Sequence, residues 1–146
     1  MAEFSGRPSS RSQTSIRYSA SPGELKPLHS SAIGKSILGS LKDGELRKLL
    51  EALPLPAVTE TTLADRDVLL EDIARSRLRG YYVTCGENVA DVWAVAASLV
   101  VDGETLAIAV AGPRHRMETN LPDCARLLVS TCSLLGRQEG RARGGA

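Results

Sequence analysis

Two apolar segments joined by the dipeptide Asp102-Gly103 constrain the fold of this 146-residue chain more than any other feature. Asp-Gly between runs of strand-forming residues is the strongest short-range signal for a β-hairpin. With these two residues as the loop, the register of the hairpin is fixed. The expected pairs are Val101 with Glu104, Leu99 with Leu106, and Ser98 with Ala107. The sequence therefore predicts antiparallel strands over residues 93–101 and 104–111.

This register sorts the hairpin side chains onto two unlike faces, because successive side chains of a strand point to opposite sides. One face carries small residues: Ala94, Ala96, Ser98, Ala107, Ala109 and Ala111. The other carries large residues: Trp93, Val95, Leu99, Leu106, Ile108 and Val110. A face of small side chains either lets another element approach closely or leaves a hollow for a ligand. Since Ser98 and Thr105 are the polar residues on that side, such a hollow would suit a small or mostly apolar molecule.

Helices are predicted both before and after the hairpin in the sequence. The first covers residues 31–41 with Ser30 or Ser31 as its cap, and the second covers 44–53 with Asp43 as its cap and Pro54 as its stop. A third begins at Asp65 or Asp67 and runs to about Arg79 before Gly80, and a last one covers 121–135 between Asn120 and Gly136. Further strands are expected at 14–20 and 81–84, with a turn at 21–23.

Length and composition are those of one globular domain. The chain is 42% hydrophobic and 24% charged with a formal net charge of +1, which excludes a disordered chain and a nucleic-acid binder that works by bulk charge. The longest apolar run, residues 92–101, is far shorter than the ~20 residues of a membrane-spanning helix, and no signal segment opens the chain. A cytoplasmic protein without a membrane partner is expected.

Residues suited to catalysis or metal binding are sparse. The three cysteines, Cys85, Cys124 and Cys132, show no CxxC spacing and predict neither a disulfide framework nor a zinc site. Neither histidine accompanies a nucleophile motif. Lys35 follows a glycine but lacks the earlier glycine and the adjacent strand of a phosphate loop, so no phosphate site is predicted there. No metal and no cofactor are expected.

A series of short motifs gives a family resemblance. The segment PLHSSAIGKSIL at 27–38, Arg79-Gly80-Tyr81, and Ala111-Gly112-Pro113 followed by Arg116 resemble, in order and spacing, the effector-binding domain of IclR-family transcriptional regulators. The resemblance runs from about Ala2 to Leu135. It implies an α+β, GAF-like fold: an antiparallel sheet with helices on both faces and a ligand pocket on one face. The domain would cover 1–136 and a flexible tail 137–146.

Family members carry a winged helix-turn-helix, a linker helix and the first strand or strands of this domain ahead of the region matched here. The resemblance implies a non-enzymatic module that binds a small metabolite and assembles into a dimer or tetramer. DNA would be bound only through the winged helix-turn-helix of the full regulator. The effector contacts implied by the resemblance are Tyr18, Ala32, Ile33, Gly34, Thr84, Val92, Ala94, Ala109 and Ala111.

The implied contact residues differ from those of oxoacid-sensing members. Such members place an acidic residue at the position of Thr84 and polar side chains at the positions of Ala94, Ala109 and Ala111. Backbone amides at the start of the first helix are able to hold an anion. The alanine side chains nevertheless favour an apolar or aromatic effector, and a bulky residue such as Trp at position 109 should fill the hollow.

Two other hypotheses remain open from the sequence. Some GAF-like domains with three cysteines are methionine sulfoxide reductases; here Cys85 would be the nucleophile or redox sensor, and Cys124 or Cys132 would resolve it. Rapid reaction of a thiol in the folded protein would favour this hypothesis. In the other, the chain is a dimerisation domain whose alanine face is packed by a helix and binds nothing.

Overall fold

The computed structural model describes residues 2–4 and 20–143. The elements in chain order are β1 Ala2–Phe4, β2 Glu24–Lys26, α1 Ala32–Ser40, α2 Asp43–Ala52, α3 Arg66–Arg79, β3 Tyr82–Cys85, β4 Val92–Val101, β5 Glu104–Pro113 and α4 Arg114–Arg143. The strand expected at 14–20 lies outside the described residues except for Ala20, which is irregular. Tyr18 also lies outside them. The pairing of β1 with β2 in a small antiparallel sheet has no counterpart in the predictions.

The main sheet is antiparallel with the order β3-β4-β5. The predicted hairpin register is confirmed, from Val101 opposite Glu104 at the turn to Val92 opposite Pro113 at the far end. Asp102 and Gly103 both have positive φ, 52° and 79°, as the favoured two-residue hairpin turn requires. The turn expected at 21–23 is also present, since the backbone N–H of Glu24 donates to the carbonyl of Ser21.

Helices cover both faces of this sheet, which confirms the predicted α+β fold. On the large-residue face, α4 packs against the hairpin through a core of Val95, Ala97, Leu99, Met117, Ala125, Leu128 and Cys132. On the small-residue face, α1 contacts all three strands. A second core on that side joins α1, α2, α3 and β3 through Leu38, Leu46, Leu50, Leu69, Ile73 and Tyr82. The sheet is therefore the middle layer of the molecule.

Capping residues fix where the first three helices begin. The Ser31 hydroxyl accepts from the Gly34 N–H, and an Asp65 carboxylate oxygen accepts from two backbone N–H groups in the first turn of α3, as predicted. Gly80 ends α3 with φ 85°. The cap predicted for α2 is wrong by one residue: Lys42 is the N-cap, and its backbone N–H donates to the Glu45 carboxylate, so Asp43 is already helical.

The last helix is much longer than predicted. α4 begins at Arg114, directly after β5, and continues through Gly136 to Arg143, so both predicted ends are wrong. Asn120 is not a cap, because its side-chain amide donates to the Arg116 carbonyl one turn earlier. Burial of Met117 holds the first turns against the sheet. Gly136 costs about 1 kcal/mol relative to Ala inside a helix but does not by itself end one.

The division into a domain over 1–136 and a tail stays a prediction. Within the described part of the chain, none of the helices combines the length and the apolar character needed to cross a membrane.

Candidate functional site

A row of three residues crosses the small-residue face. Thr84 on β3, Ala94 on β4 and Ala111 on β5 are register partners in adjacent strands. Thr84 is buried, Ala94 is half-buried and Ala111 is exposed. Val92 and Ala109 lie on the same face because side chains alternate along each strand. The sheet thus brings the implied contacts on β3, β4 and β5 to one side.

The first turn of α1 supplies the remaining described contacts. Ala32 and Gly34 are buried and Ile33 is half-buried, and the helix lies on the small-residue side of the sheet. A Cβ at Gly34 would lie 2.5 Å from the Cα and carbonyl oxygen of Leu28, so the chain leading into α1 folds tightly against this turn. Only glycine fits such a close backbone approach.

The small-residue face is covered unevenly. Ala96, in the middle of β4, is fully buried under α1, whereas Ala107 and Ala109 on β5 are half-buried and Ala111 is exposed. The sequence predicted either close packing or a hollow on this face. In the described part of the chain a helix approaches closely over β4, and the face is partly open along β5.

A buried charge cluster lies beside the first turn of α1. Lys35 is fully buried, with its Nζ 2.8 Å from Asp72 Oδ2 on α3 and 2.7 Å from Glu87 Oε2 in the loop after β3. Its Nζ also lies 3.4 Å from the Val83 carbonyl oxygen. The sequence argument against a phosphate loop is consistent with this geometry, because the ammonium group is engaged by carboxylates inside the protein.

A threonine-rich segment holds the loop after β3 in place. The hydroxyls of Thr59, Thr61 and Thr62 donate to backbone carbonyls at the end of β3 and in that loop, at 3.1 Å for Cys85, 2.6 Å for Gly86 and 2.7 Å for Glu87. Sequence reasoning missed this contact. The cluster of threonines is visible in the sequence, but the carbonyls that it meets lie more than twenty residues away and carry no side-chain signal.

The environment of Cys85 opposes a reactive thiol. Burial raises the pKa of Cys85, and the negative charge of Glu87 raises it further, while Lys35 opposes both effects. A nucleophilic cysteine needs a lowered pKa, because the thiolate is the reactive form. Cys132 is buried in the α4 core, and Cys124 packs against that core.

Burial also raises the pKa of Glu87, and the nearby Lys35 ammonium opposes this rise. The loop after β3 therefore carries a carboxyl group that takes up a proton more readily than a solvated glutamate does. Among the described residues no group of His, Cys, Asp or Glu has the arrangement of a metal site.

An open groove of about 640 Å³ lies elsewhere, between α4 and the turn end of β4. It is lined by Gly80, Ala97, Ser98, Leu99, Val100, Val129, Cys132, Ser133, Gly136 and Arg137. None of the implied effector contacts lines this groove.

Comparison with known proteins decides the family. The family model for the C-terminal region of the bacterial transcriptional regulator IclR matches residues 9–134. This chain belongs to the IclR family. Its relatives are transcriptional regulators, among them repressors. The regulator BhcR of Paracoccus denitrificans is 36% identical over 104 residues, which are 70% of this chain and 37% of BhcR. The repressor AllR of Escherichia coli K12 is 34% identical over 104 residues, 70% of this chain and 38% of AllR.

This IclR-family chain therefore spans less than two-fifths of the length of these curated relatives. Solved structures agree on the fold. IclR of Thermotoga maritima superposes with a TM-score of 0.79 at 26% identity, covering 88% of this chain and 53% of that one. The C-terminal domain of E. coli KdgR gives 0.71 at 25% identity, with coverages of 82% and 74%. An IclR homologue complexed with 4-hydroxybenzoate, from Microbacterium hydrocarbonoxydans, shares the fold with a TM-score of 0.71 at 20% identity and coverages of 86% and 52%.

Proposed function

We propose that this IclR-type domain is a non-enzymatic sensor that binds a small effector on the small-residue face and assembles into a homo-oligomer. The observation that carries the proposal is the row of Thr84, Ala94 and Ala111 on the face that α1 covers. Strands and helix bring the implied contacts among the described residues to one side of the sheet. A mostly apolar lining with a few polar groups is usual in a small-molecule site, and this row has that composition.

We propose an apolar or aromatic effector. Thr84 supplies the one side-chain hydroxyl of the row, and its neighbours offer only methyl groups. The nearest buried cation, Lys35, is held by Asp72 and Glu87, and the N–H of Gly34 is taken by Ser31. A strongly charged ligand would therefore find few free partners here. The homologue from Microbacterium hydrocarbonoxydans that holds 4-hydroxybenzoate, a ring with one carboxylate, supports an aromatic effector.

Regulation would follow from linked equilibria. An effector that binds one arrangement of subunits more tightly shifts the population toward that arrangement. In the full regulator, this shift would change the spacing of the winged helix-turn-helix domains and hence operator binding. A regulator that acts on a bacterial promoter works in the cytoplasm, which is the location we propose.

A thermal-unfolding screen against phenolic and aromatic acids, short acyl compounds and small carboxylates tests the proposal. A ligand at about 100 times its Kd stabilises the native state by about 2.7 kcal/mol. We expect stabilisation by aromatic or acyl compounds and its loss in Ala109→Trp. The matched control is Leu106→Trp, on the same strand but on the opposite face and 46% exposed. Equal stabilisation of both variants would contradict the proposed site, and no stabilisation of the folded wild type would favour a domain that only assembles.

A further inference from the structure

The strand β4 extends beyond its neighbour β3 toward the hairpin turn. The ladder between these two strands ends at the pair Tyr82 and Ala96, because the chain leaves α3 through its cap Gly80 just before β3. Residues 97–101 of β4 therefore have β5 on one side, and among the described residues no strand lies on the other. We call residues 97–101 the open edge of β4. An open sheet edge is a template for another extended chain.

The hairpin turn decides which backbone groups face this open edge. In a two-residue hairpin, the residue before the turn, here Val101, forms a hydrogen-bonded pair with its partner on the other strand. Alternation along β4 then turns the N–H and C=O groups of Ser98 and Val100 away from β5 and toward the open edge. The same alternation holds at the far end of β4, where the Val92 carbonyl accepts from the Gly86 N–H on the β3 side. Two donors and two acceptors thus point to a side that no described strand occupies.

The open edge forms one wall of the groove of about 640 Å³ between α4 and the turn end of β4. Residues of α4 form the other wall: Val129, Cys132, Ser133, Gly136 and Arg137. Exposed edges are usually protected by a charged residue or a proline, and residues 97–101 contain neither. Val100 on this edge is 56% exposed. The groove therefore combines an unprotected strand edge with a mostly apolar wall.

We propose that this groove binds an extended peptide segment of a partner protein, which adds a strand to the open edge of β4. The peptide residues opposite Ser98 and Val100 exchange backbone hydrogen bonds with them. The peptide residue between these two lies opposite Leu99, whose side chain is on the α4 side of the sheet. Its own side chain therefore enters the groove, where an apolar group is favoured.

The charge in the groove favours an acidic partner. Arg137 is exposed, and it is the one charged residue among the described residues that line the groove. Its Nε donates to the Ser133 carbonyl at 3.3 Å, which uses one of the five donors of the guanidinium group. A carboxylate next to the paired segment is attracted to this cation. The expected ligand is thus a short extended segment with an apolar residue at its centre and an acidic residue beside it.

Fluorescence anisotropy with a labelled peptide tests the proposal. The probe is the fluorescein-labelled, amidated pentapeptide Glu-Thr-Val-Thr-Glu, which has carboxylates on both sides and so suits either strand direction. We expect saturable binding, and its loss when the backbone amides of both threonines are N-methylated, because these N–H groups donate to the edge. Equal binding of the methylated peptide would overturn the strand pairing, and absence of saturable binding by the unmethylated peptide would overturn the proposal.

Val100→Pro and Thr105→Pro are a matched pair of variants. The two residues are partners across the hairpin, but the N–H of Val100 points to the groove and that of Thr105 to the far edge of β5. Proline thus removes a backbone donor at either position without removing a hydrogen bond between β4 and β5. We expect Val100→Pro to raise the Kd of the peptide by about tenfold. Thr105→Pro should bind as the wild type does, and equal Kd values for the two variants would contradict the proposal.

Gly136→Phe tests the same groove from the side of α4. A Cβ at Gly136 meets nothing within 4 Å, so a larger side chain there should leave the fold intact, as circular dichroism would verify. We expect this variant to lose peptide binding because the ring fills the groove. The control is Gly44→Phe on α2, where a Cβ is equally free. Wild-type affinity of Gly136→Phe would show that the peptide binds elsewhere.

The charge preference has its own test. Arg137→Glu should weaken peptide binding, most strongly at low salt, because the attraction becomes a repulsion. Arg47→Glu, at an exposed position on α2, is the control and should bind the peptide as the wild type does. Equal affinities of Arg137→Glu and Arg47→Glu would overturn the preference for an acidic partner.

This inference does not rest on the proposed function. The variant Ala109→Trp, which should block the effector site, is expected to keep its affinity for the peptide, and loss of that affinity would contradict a separate site. Sedimentation velocity distinguishes a peptide from a second copy of this chain. If the chain alone forms dimers that Val100→Pro and Gly136→Phe both abolish, the edge pairs with a second copy and the peptide proposal is wrong.

Discussion

Lys35 on α1 and Glu87 in the loop after β3 form a buried ion pair, with 2.7 Å between Nζ and Oε2. Asp72 on α3 shares the same ammonium group. Three elements that meet beside the proposed effector site are therefore joined through one cation. Burying the Lys35 ammonium beside these carboxylates is costly, and leaving either carboxylate without the cation would cost more.

Removing the cation should be severely destabilising. We expect Lys35→Met to lower the free energy of unfolding by about 3–5 kcal/mol, because the buried carboxylate of Glu87 and the half-buried carboxylate of Asp72 lose their partner. Urea denaturation monitored by Trp93 fluorescence measures this change. Lys48→Met, at an exposed position on α2, should change the stability by less than about 0.5 kcal/mol. A similarly small effect of Lys35→Met would contradict the account of the cluster.

The raised pKa of Glu87 predicts a pH dependence of a definite sign. A carboxyl whose pKa is higher in the folded than in the unfolded protein binds its proton more tightly in the folded state. Its stabilising contribution is present below the ordinary value of 4.5 and is lost as the pH rises through the folded pKa. Glu87→Gln imitates the protonated form and should gain stability relative to the wild type as the pH rises from 4 to 7.

Comparing Glu87→Gln with the wild type at each pH removes the contributions of other groups. The exposed control Glu60→Gln should show no such trend. If the stability of the wild type instead rises relative to that of Glu87→Gln as the pH rises, the attraction of Lys35 outweighs the cost of burial. The pKa of Glu87 is then lowered in the folded protein rather than raised.

Two glycine substitutions should act in opposite directions. A Cβ at Gly39 of α1 would collide with the ring and hydroxyl of Tyr82, so Gly39→Ala should destabilise by about 1–3 kcal/mol. At Gly44 in the first turn of α2, nothing lies within 4 Å of such an atom. Gly44→Ala should therefore stabilise by about 0.4–1 kcal/mol. Thermal unfolding measures the change in stability of both variants. Stabilisation by Gly39→Ala as well as by Gly44→Ala would show that α1 does not pack on β3 as described.

The thiols should react slowly in the folded state. Because burial and Glu87 raise the pKa of Cys85, little thiolate is present at neutral pH, and Cys132 is buried. We expect a disulfide reagent to modify Cys85 more slowly in the native protein than in urea, as shown by the difference between wild type and Cys85→Ser. Reaction faster than in the unfolded chain would revive the thiol-enzyme hypothesis.

What could be predicted from the sequence depended on the range of the interactions involved. The hairpin at Asp102-Gly103 follows from local turn chemistry, and its register places Ala94 beside Ala111 without further information. The caps at Ser31 and Asp65 are equally local. Each of these features is set by residues within one or two turns of the chain.

Features that depend on distant partners could not be predicted in the same way. α4 begins at Arg114, before the predicted cap Asn120, because Met117 packs on the sheet, and this packing outweighs the local capping signal. The sequence argument excluded Lys35 from a phosphate site, but it did not foresee the carboxylates of Asp72 and Glu87 around it. Both partners come from segments far away in the chain.

The central claim is that an effector binds between the first turn of α1 and the small-residue face. Amide NMR spectra of the chain, recorded during titration with 4-hydroxybenzoate and with whichever screened compound stabilises it most, test this claim most directly. The account predicts that the largest shifts occur at Ile33, Thr84, Ala94 and Ala109. Shifts confined to the groove residues Val129 and Ser133, with the small-residue face unchanged, would contradict it.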